Sequence, residues 1–223
     1  MARLHLFHTP NDDVPGEIGL GRFARFVEEY ILAAKLEQCP GGLILGGNSM
    51  GGAIALLVAM RGRVRLRGLV LIGTFGSYKH LPVWQRGLAP LAWVIPMGAL
   101  HSAVWRIKGI LRTGGVSGEE ARWIAATEIK RTRAYFGAAV AALNTLDLIE
   151  NASKLTLPCV VIHGSKDPVL PHRAAIELAQ TLPHARLVTV ENAGHSLYFT
   201  HAEAVNTAVA EFLSSIPAKA DDF

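Results

Sequence analysis

Two rhythms of apolar and polar residues run along the chain. Phe23, Phe26, Val27, Tyr30, Ile31 and Ala34 recur at three- and four-residue steps. That spacing predicts a helix over 21–38 with this face buried. Residues 43–45 (Leu-Ile-Leu), 69–72 (Leu-Val-Leu-Ile) and 159–162 (Cys-Val-Val-Ile) are instead apolar without interruption. Strands of that kind belong to a parallel sheet covered on both faces. Residues 3–7 and 186–190 read as further strands. Residues 50–60, rich in Ala, Leu and Met, predict a buried helix, and 171–181 and 202–213 two more. Strand and helix alternate, so the expected fold is α/β, with a doubly wound, mostly parallel sheet.

Residues 75–153 break the rhythm. They hold all four Trp, several short helical patterns and no clear strand. The expected organisation is a core of residues 1–74 and 154–223 with a helical cap inserted at 75–153. No internal repeat or low-complexity tract interrupts it.

Composition narrows the class. At 223 residues, 50% hydrophobic and 18% charged, the chain has ample apolar surface for one ordinary domain and is not a disordered protein. Cys39 and Cys159 are too few for a disulfide scaffold, and neither sits in a Cys/His cluster, so no metal is expected. The net charge of +4 is all carried by 75–153, and the remainder is neutral. A solvated helical face or a dock for an acidic partner both fit that excess. Nucleic-acid binding is not indicated, because nearby acids cancel the alternating Arg61, Arg63, Arg65 and Arg67, which read as a solvated edge. Two uncharged windows, 41–60 and 87–105, are interrupted by glycines or prolines, so no stable membrane span is expected. The first residues lack an apolar signal-peptide region, which points to a cytoplasmic protein.

The candidate chemistry follows the strands. Gly47-Asn48-Ser49-Met50-Gly51 matches G-x-S-x-G between a strand and a helix. A serine on such a turn stands clear of the sheet beside a helix N-terminus, which favours negative charge. A serine hydroxyl is a weak nucleophile and needs a base, itself held by an acid. Asp167 lies just after the strand at 159–162 and His195 just after the strand at 186–190. The order Ser, Asp, His is the one this architecture uses. The rival position after 69–72 reads Gly73-Thr74, with no carboxylate. The bland alternatives are a connecting turn at Ser49, a proline turn at Asp167 and a loop histidine at His195. The other histidines, His5, His163 and His172 among them, show no metal spacing.

These residues carry a resemblance. The stretch from Pro158 to Asp167-Pro-Val-Leu-Pro, together with Ala193-Gly-His195-Ser and Gly-Asn-Ser49-Met-Gly-Gly, resembles the α/β-hydrolase superfamily over about residues 41–213. Within it the chain is similar to small bacterial capped carboxylesterases of the pimeloyl-carrier-protein methyl ester esterase type. The elbow is also similar to that of meta-cleavage-product C–C hydrolases, which usually place an aromatic after the histidine, where Ser196 stands. The resemblance implies a serine hydrolase with Ser49 as nucleophile, His195 as base and Asp167 as its partner. Met50 N–H would be one oxyanion donor. Asp13-Val-Pro-Gly-Glu-Ile-Gly looks like the turn that follows the family's fourth strand, which implies a core shortened at the N-terminus. The usual oxyanion loop would then be missing, and the His8 or Thr9 backbone is the expected second donor. Asn48, Trp93 and Trp105 are expected to line the substrate pocket.

The expectation is a carboxylesterase or thioesterase without cofactor, acting on a small-molecule or carrier-protein-bound ester. Two alternatives stay open: a C–C bond hydrolase, and a binding protein with an impaired triad.

Overall fold

The computed structural model describes residues 20–77, 79 and 147–216. Its sheet has four parallel strands in the order β1-β2-β3-β4: Ile44–Asn48, Gly68–Ile72, Cys159–Gly164 and Ala185–Val190. Leu45 faces Leu69 across the first pair, Leu69 faces Cys159 across the second, and Cys159 faces Ala185 across the third. Helix α1 (Leu20–Ala33) precedes the sheet, and α2 (Met50–Arg61) links β1 to β2. After the one-turn α3 (Ile149–Ala152), α4 (His172–Thr181) links β3 to β4, and α5 (Leu197–Thr200) and α6 (Ala202–Ser215) close the chain.

The uninterrupted apolar strands have two faces to fill. Leu69, Leu71, Cys159 and Val161 join one core with residues of α1, α2, α3 and α4. Val70, Val160 and Ile162 join a second core with Val205, Ala208 and Phe212 of α6. Successive strand residues point to opposite faces, so a strand buried on both sides shows no polar alternation. Each such Leu, Val or Ile contributes about 1.5–3 kcal/mol by leaving water.

Three local differences from the sequence reading have physical causes. Strand β1 continues past Leu45 to Asn48, because Gly46, Gly47 and Asn48 still pair with Val70, Leu71 and Ile72. Helix α1 stops at Ala33, and a short 3₁₀ turn over Leu36–Gln38 follows. Its buried stripe is Leu20, Ala24, Val27, Glu28 and Ile31, while Tyr30 and Ala34 lie exposed. The helix is turned so that Glu28 reaches Arg61 and Arg63. Arg61 is therefore not a simple solvated residue. It ties the last residue of α2 to a fully buried carboxylate, with Nε to Oε1 at 2.6 Å. Arg63 and Arg65 are exposed, as expected, and alternate with buried Val64 and Leu66.

Between β2 and β3 the described residues run to Ser77, with Lys79, and begin again at Asp147. Ser77 and Asp147 form an antiparallel bridge, and Lys79 Nζ lies 2.8 Å from Asp147 Oδ2. The hydrogen bond from Lys79 holds the Asp147 carboxyl below its ordinary range. Phe75, Leu148 and Ala152, on either side of this neck, belong to the core on the α2 side of the sheet. The strand expected at 3–7, the turn at 13–19 and nearly all of the segment assigned to the cap lie outside the described residues. Among the described residues no strand pairs with the outer edge of β1. Nor is any described helix long and apolar enough to cross a membrane.

Candidate active site

The site is built at the carboxyl ends of β1, β3 and β4, where ligands of parallel sheets sit. Ser49 joins β1 to α2 with φ 52° and ψ −122°, a backbone state costly for any residue but glycine. The strain is held from several sides. Ser49 N–H donates to Ile72 O at 2.9 Å, and Thr74 Oγ1 donates to Ser49 O at 2.7 Å. The glycines let strand and helix meet. A Cβ on Gly47 would lie 2.2 Å from the Gly51 backbone, and one on Gly52 would lie 2.7 Å from Thr74. Gly51, also part of the motif, faces open space.

Ser49 occupies the N-cap position of α2, yet its side chain makes no cap bond. The hydroxyl is directed instead to His195, whose Nε2 is 3.1 Å from Oγ. His195 Nδ1 lies 2.8 Å from Asp167 Oδ2. The Asp167 side chain is fully buried, and its other oxygen, Oδ1, accepts the Val169 and Leu170 N–H groups at 2.8 and 2.9 Å. Because a carboxylate only accepts, His195 Nδ1 carries the proton and Nε2 is left bare toward Ser49. His195 keeps 16% of its side chain exposed, so the base can reach solvent.

The two loops that bear the acid and the histidine are laced together. Lys166 N–H donates to Ala193 O, Ser165 N–H to Val190 O, and Asn192 N–H to Ser165 Oγ. A Cβ on Gly164 would lie 2.3 Å from Ala193 O, so only glycine permits this approach. The arrangement can therefore polarise a serine hydroxyl at a fixed point above the sheet.

Ser49, Asp167 and His195, which are far apart in sequence, are thus brought into one hydrogen-bonded array. Met50 opens α2, where a first-turn N–H has no partner within the helix. The Asn48 amide donates to Ile72 O at 3.2 Å and helps fasten the elbow to β2. His8, Thr9, Trp93 and Trp105 lie outside the described residues. Sequence reasoning missed Thr74 and His163. Thr74 follows β2, and His163 lies in β3, four residues before Asp167. For Thr74 the available signal was its place just after a strand, which it shares with Asp167 and His195. Among the described residues no group of three His, Cys, Asp or Glu side chains could hold a metal ion.

Comparisons with known proteins agree with this fold. The sequence profile of the alpha/beta hydrolase family matches residues 8–208. The chain belongs to that family. A pimeloyl-[acyl-carrier protein] methyl ester esterase of Nitrosomonas europaea is 26% identical over 209 residues, covering 90% of this chain and 81% of its own. The protein of the same name from Neisseria meningitidis serogroup C is 29% identical over 212 residues, covering 92% and 82%. The solved structure of an esterase from Exiguobacterium antarcticum superposes with a TM-score of 0.76 at 20% identity, over 94% of this chain and 79% of that one. The expected parallel-sheet hydrolase fold and an enzyme of the carboxylesterase type are borne out.

Proposed function

We propose that the protein is a serine carboxylesterase or thioesterase that works through an acyl-enzyme. The observation that carries this reading is the unbroken hydrogen-bond run from Ser49 through His195 to the buried Asp167. Ser49 Oγ attacks the ester carbonyl carbon as His195 Nε2 takes its proton. Met50 N–H holds the oxyanion, together with a second donor from the His8 or Thr9 backbone. The tetrahedral intermediate collapses, the C–O bond to the alcohol breaks, and His195 returns the proton to the leaving oxygen. Water, deprotonated by His195, then attacks the acyl-Ser49 carbonyl and releases the acid. Asp167 keeps the imidazole in the tautomer that this cycle needs and balances the imidazolium.

The substrate class in this reading is an acyl ester carried by an acidic acyl carrier protein. The names of the relatives and the net +4 of residues 75–153 support it. Residues 75–153 act as the cap that covers the elbow, with Asn48, Trp93 and Trp105 beside the acyl chain. No observation on the described residues favours the C–C hydrolase or the impaired binding protein.

The deciding experiment is acylation and turnover. A fluorophosphonate should label Ser49, and Ser49→Ala should lower p-nitrophenyl ester hydrolysis by roughly 10⁴–10⁶-fold with the fold intact. A Ser49→Ala protein with the wild-type rate would sink the mechanism.

A further inference from the structure

The site contains a buried group to which this reaction gives no role. His163 lies in β3, one residue before its end, and its side chain is fully buried. Its Nδ1 is 3.0 Å from the Gly164 carbonyl oxygen. A carbonyl only accepts, so Nδ1 carries the proton and Nε2 of the neutral ring carries a lone pair. Among the described residues that Nε2 has no hydrogen-bond partner. It nevertheless sits 3.7 Å from Asp167 Oδ2, the same oxygen that accepts from His195. Oδ2 therefore has a donor on one side and a bare nitrogen on the other.

Among the described residues, the groups facing the ring come from three places. Asp167 lies in its own post-strand segment. His172 opens α4, with ring centroids 5.7 Å apart, and is itself bonded to Thr189. His195 arrives on the loop after β4. Burial is the largest influence and opposes charge on His163, and His172 and His195 add to that opposition. Asp167 and the bond to Gly164 favour charge but do not prevail. At neutral pH the ring is uncharged.

We propose that His163 is a positioning residue for Asp167, acting through its protonation state. Uncharged, it offers Oδ2 no donor and leaves His195 as the side chain bonded there. Protonated, it presents a second N–H to the same oxygen. Closing the gap by roughly 0.8 Å makes an ordinary hydrogen bond. Asp167 is then shared, and His195 loses the partner that fixes its tautomer. The inference rests on the reading of Asp167 and His195 as parts of a serine esterase.

Protonation of His163 then adds a second proton to the acid-side loss of activity, beside the one that any general base takes up. The kcat/KM of the wild type should fall about tenfold per pH unit at first and steepen toward about 100-fold per unit below. His163→Asn keeps an N–H for the Gly164 carbonyl but has no titrating nitrogen beside Asp167. It should retain the rate at pH 8 within about threefold and fall only about tenfold per unit throughout. Circular dichroism at each pH separates this from unfolding, and His163→Gln serves if the Asn variant does not fold. The second readout needs no turnover. In NMR titrations the His195 Cε1–H signal of the wild type should move where His163 titrates, and lack that movement in the variant. A protein that hydrolyses no ester would refute the esterase reading while leaving this titration to judge the coupling. A one-proton acid limb in the wild type, or a His195 signal blind to His163, would overturn the proposal.

Discussion

At the residue scale, the elbow separates glycines that the fold requires from one that it tolerates. Gly47 has no room for a Cβ, since the nearest atoms are Gly51 backbone at 2.2 Å. Backbone cannot rotate away as a side chain can. Gly47→Ala should therefore cost about 1–3 kcal/mol by overpacking and displace Ser49 from His195. Gly51→Ala meets nothing and lies in the first turn of α2. It should leave stability unchanged or raise it by up to about 1 kcal/mol, because alanine loses less backbone entropy. Urea unfolding of the two variants tests the contrast, and equal losses would refute it. His163 gives a pH prediction of known sign. Burial lowers its folded pKa below the 6.5 of the free side chain. The unfolded chain binds the proton first, so stability is full above pH 6.5 and declines as pH falls toward the folded value. In His163→Phe this contribution to the decline should vanish, as read by urea midpoints from pH 8 to 5.

At the element scale, the pairing of α1 with α2 depends on a carboxylate in an apolar stripe. Glu28 is fully buried, and Arg61 and Arg63 reach it at 2.6 and 3.3 Å. Removing the charge leaves two guanidinium groups that are partly exposed and can turn to water. Glu28→Gln should thus cost about 1–3 kcal/mol, the range of a hydrogen bond to a charged group, rather than the full penalty of a stranded buried ion. A change below 0.5 kcal/mol in urea unfolding would show that the pair is ornamental. Glu28 also marks where pattern reading fails. Apolar periodicity assigned α1 its helix but turned its buried face too far, toward Tyr30 and Ala34, because a glutamate counts as solvent-facing in such a scan. The β2 and β3 strands were legible because burial on both faces leaves no polar residue to confuse them. The end of β1 was not, since Gly46, Gly47 and Asn48 carry no apolar signal and are held by backbone pairing alone. Helix α5, four residues long, is too short for a period to register. The positions of Ser49, Asp167 and His195 were readable, as each follows a recognisable strand. His163 was not, because its role lies in a contact with Asp167 and not in any spacing.

At the scale of the whole molecule, charge is divided between a neutral remainder and residues 75–153, which carry the net +4. If those residues dock an acidic carrier protein, hydrolysis of a carrier-bound ester should fall steeply with added salt. Exposed charges are screened beyond about 8–10 Å at ordinary ionic strength. Hydrolysis of a small neutral ester should hardly change. Reversing the charge at Arg122, Lys130 and Arg133 should reproduce the salt effect, mostly through the association rate. Parallel salt curves for the two substrates would remove the docking idea. The neck between Ser77 and Asp147 has a separate bearing on how such a protein diversifies. The bridge between Ser77 and Asp147 brings the ends of the intervening stretch side by side, and Ser49, Asp167 and His195 all come from outside it. Closing a long or a short loop across the same gap differs by only about 0.6 kcal/mol per doubling of length. If residues 75–153 form the proposed cap, that stretch is an exchangeable part. A lineage can lengthen, shorten or replace it to meet a new ligand while inheriting the reactive apparatus untouched.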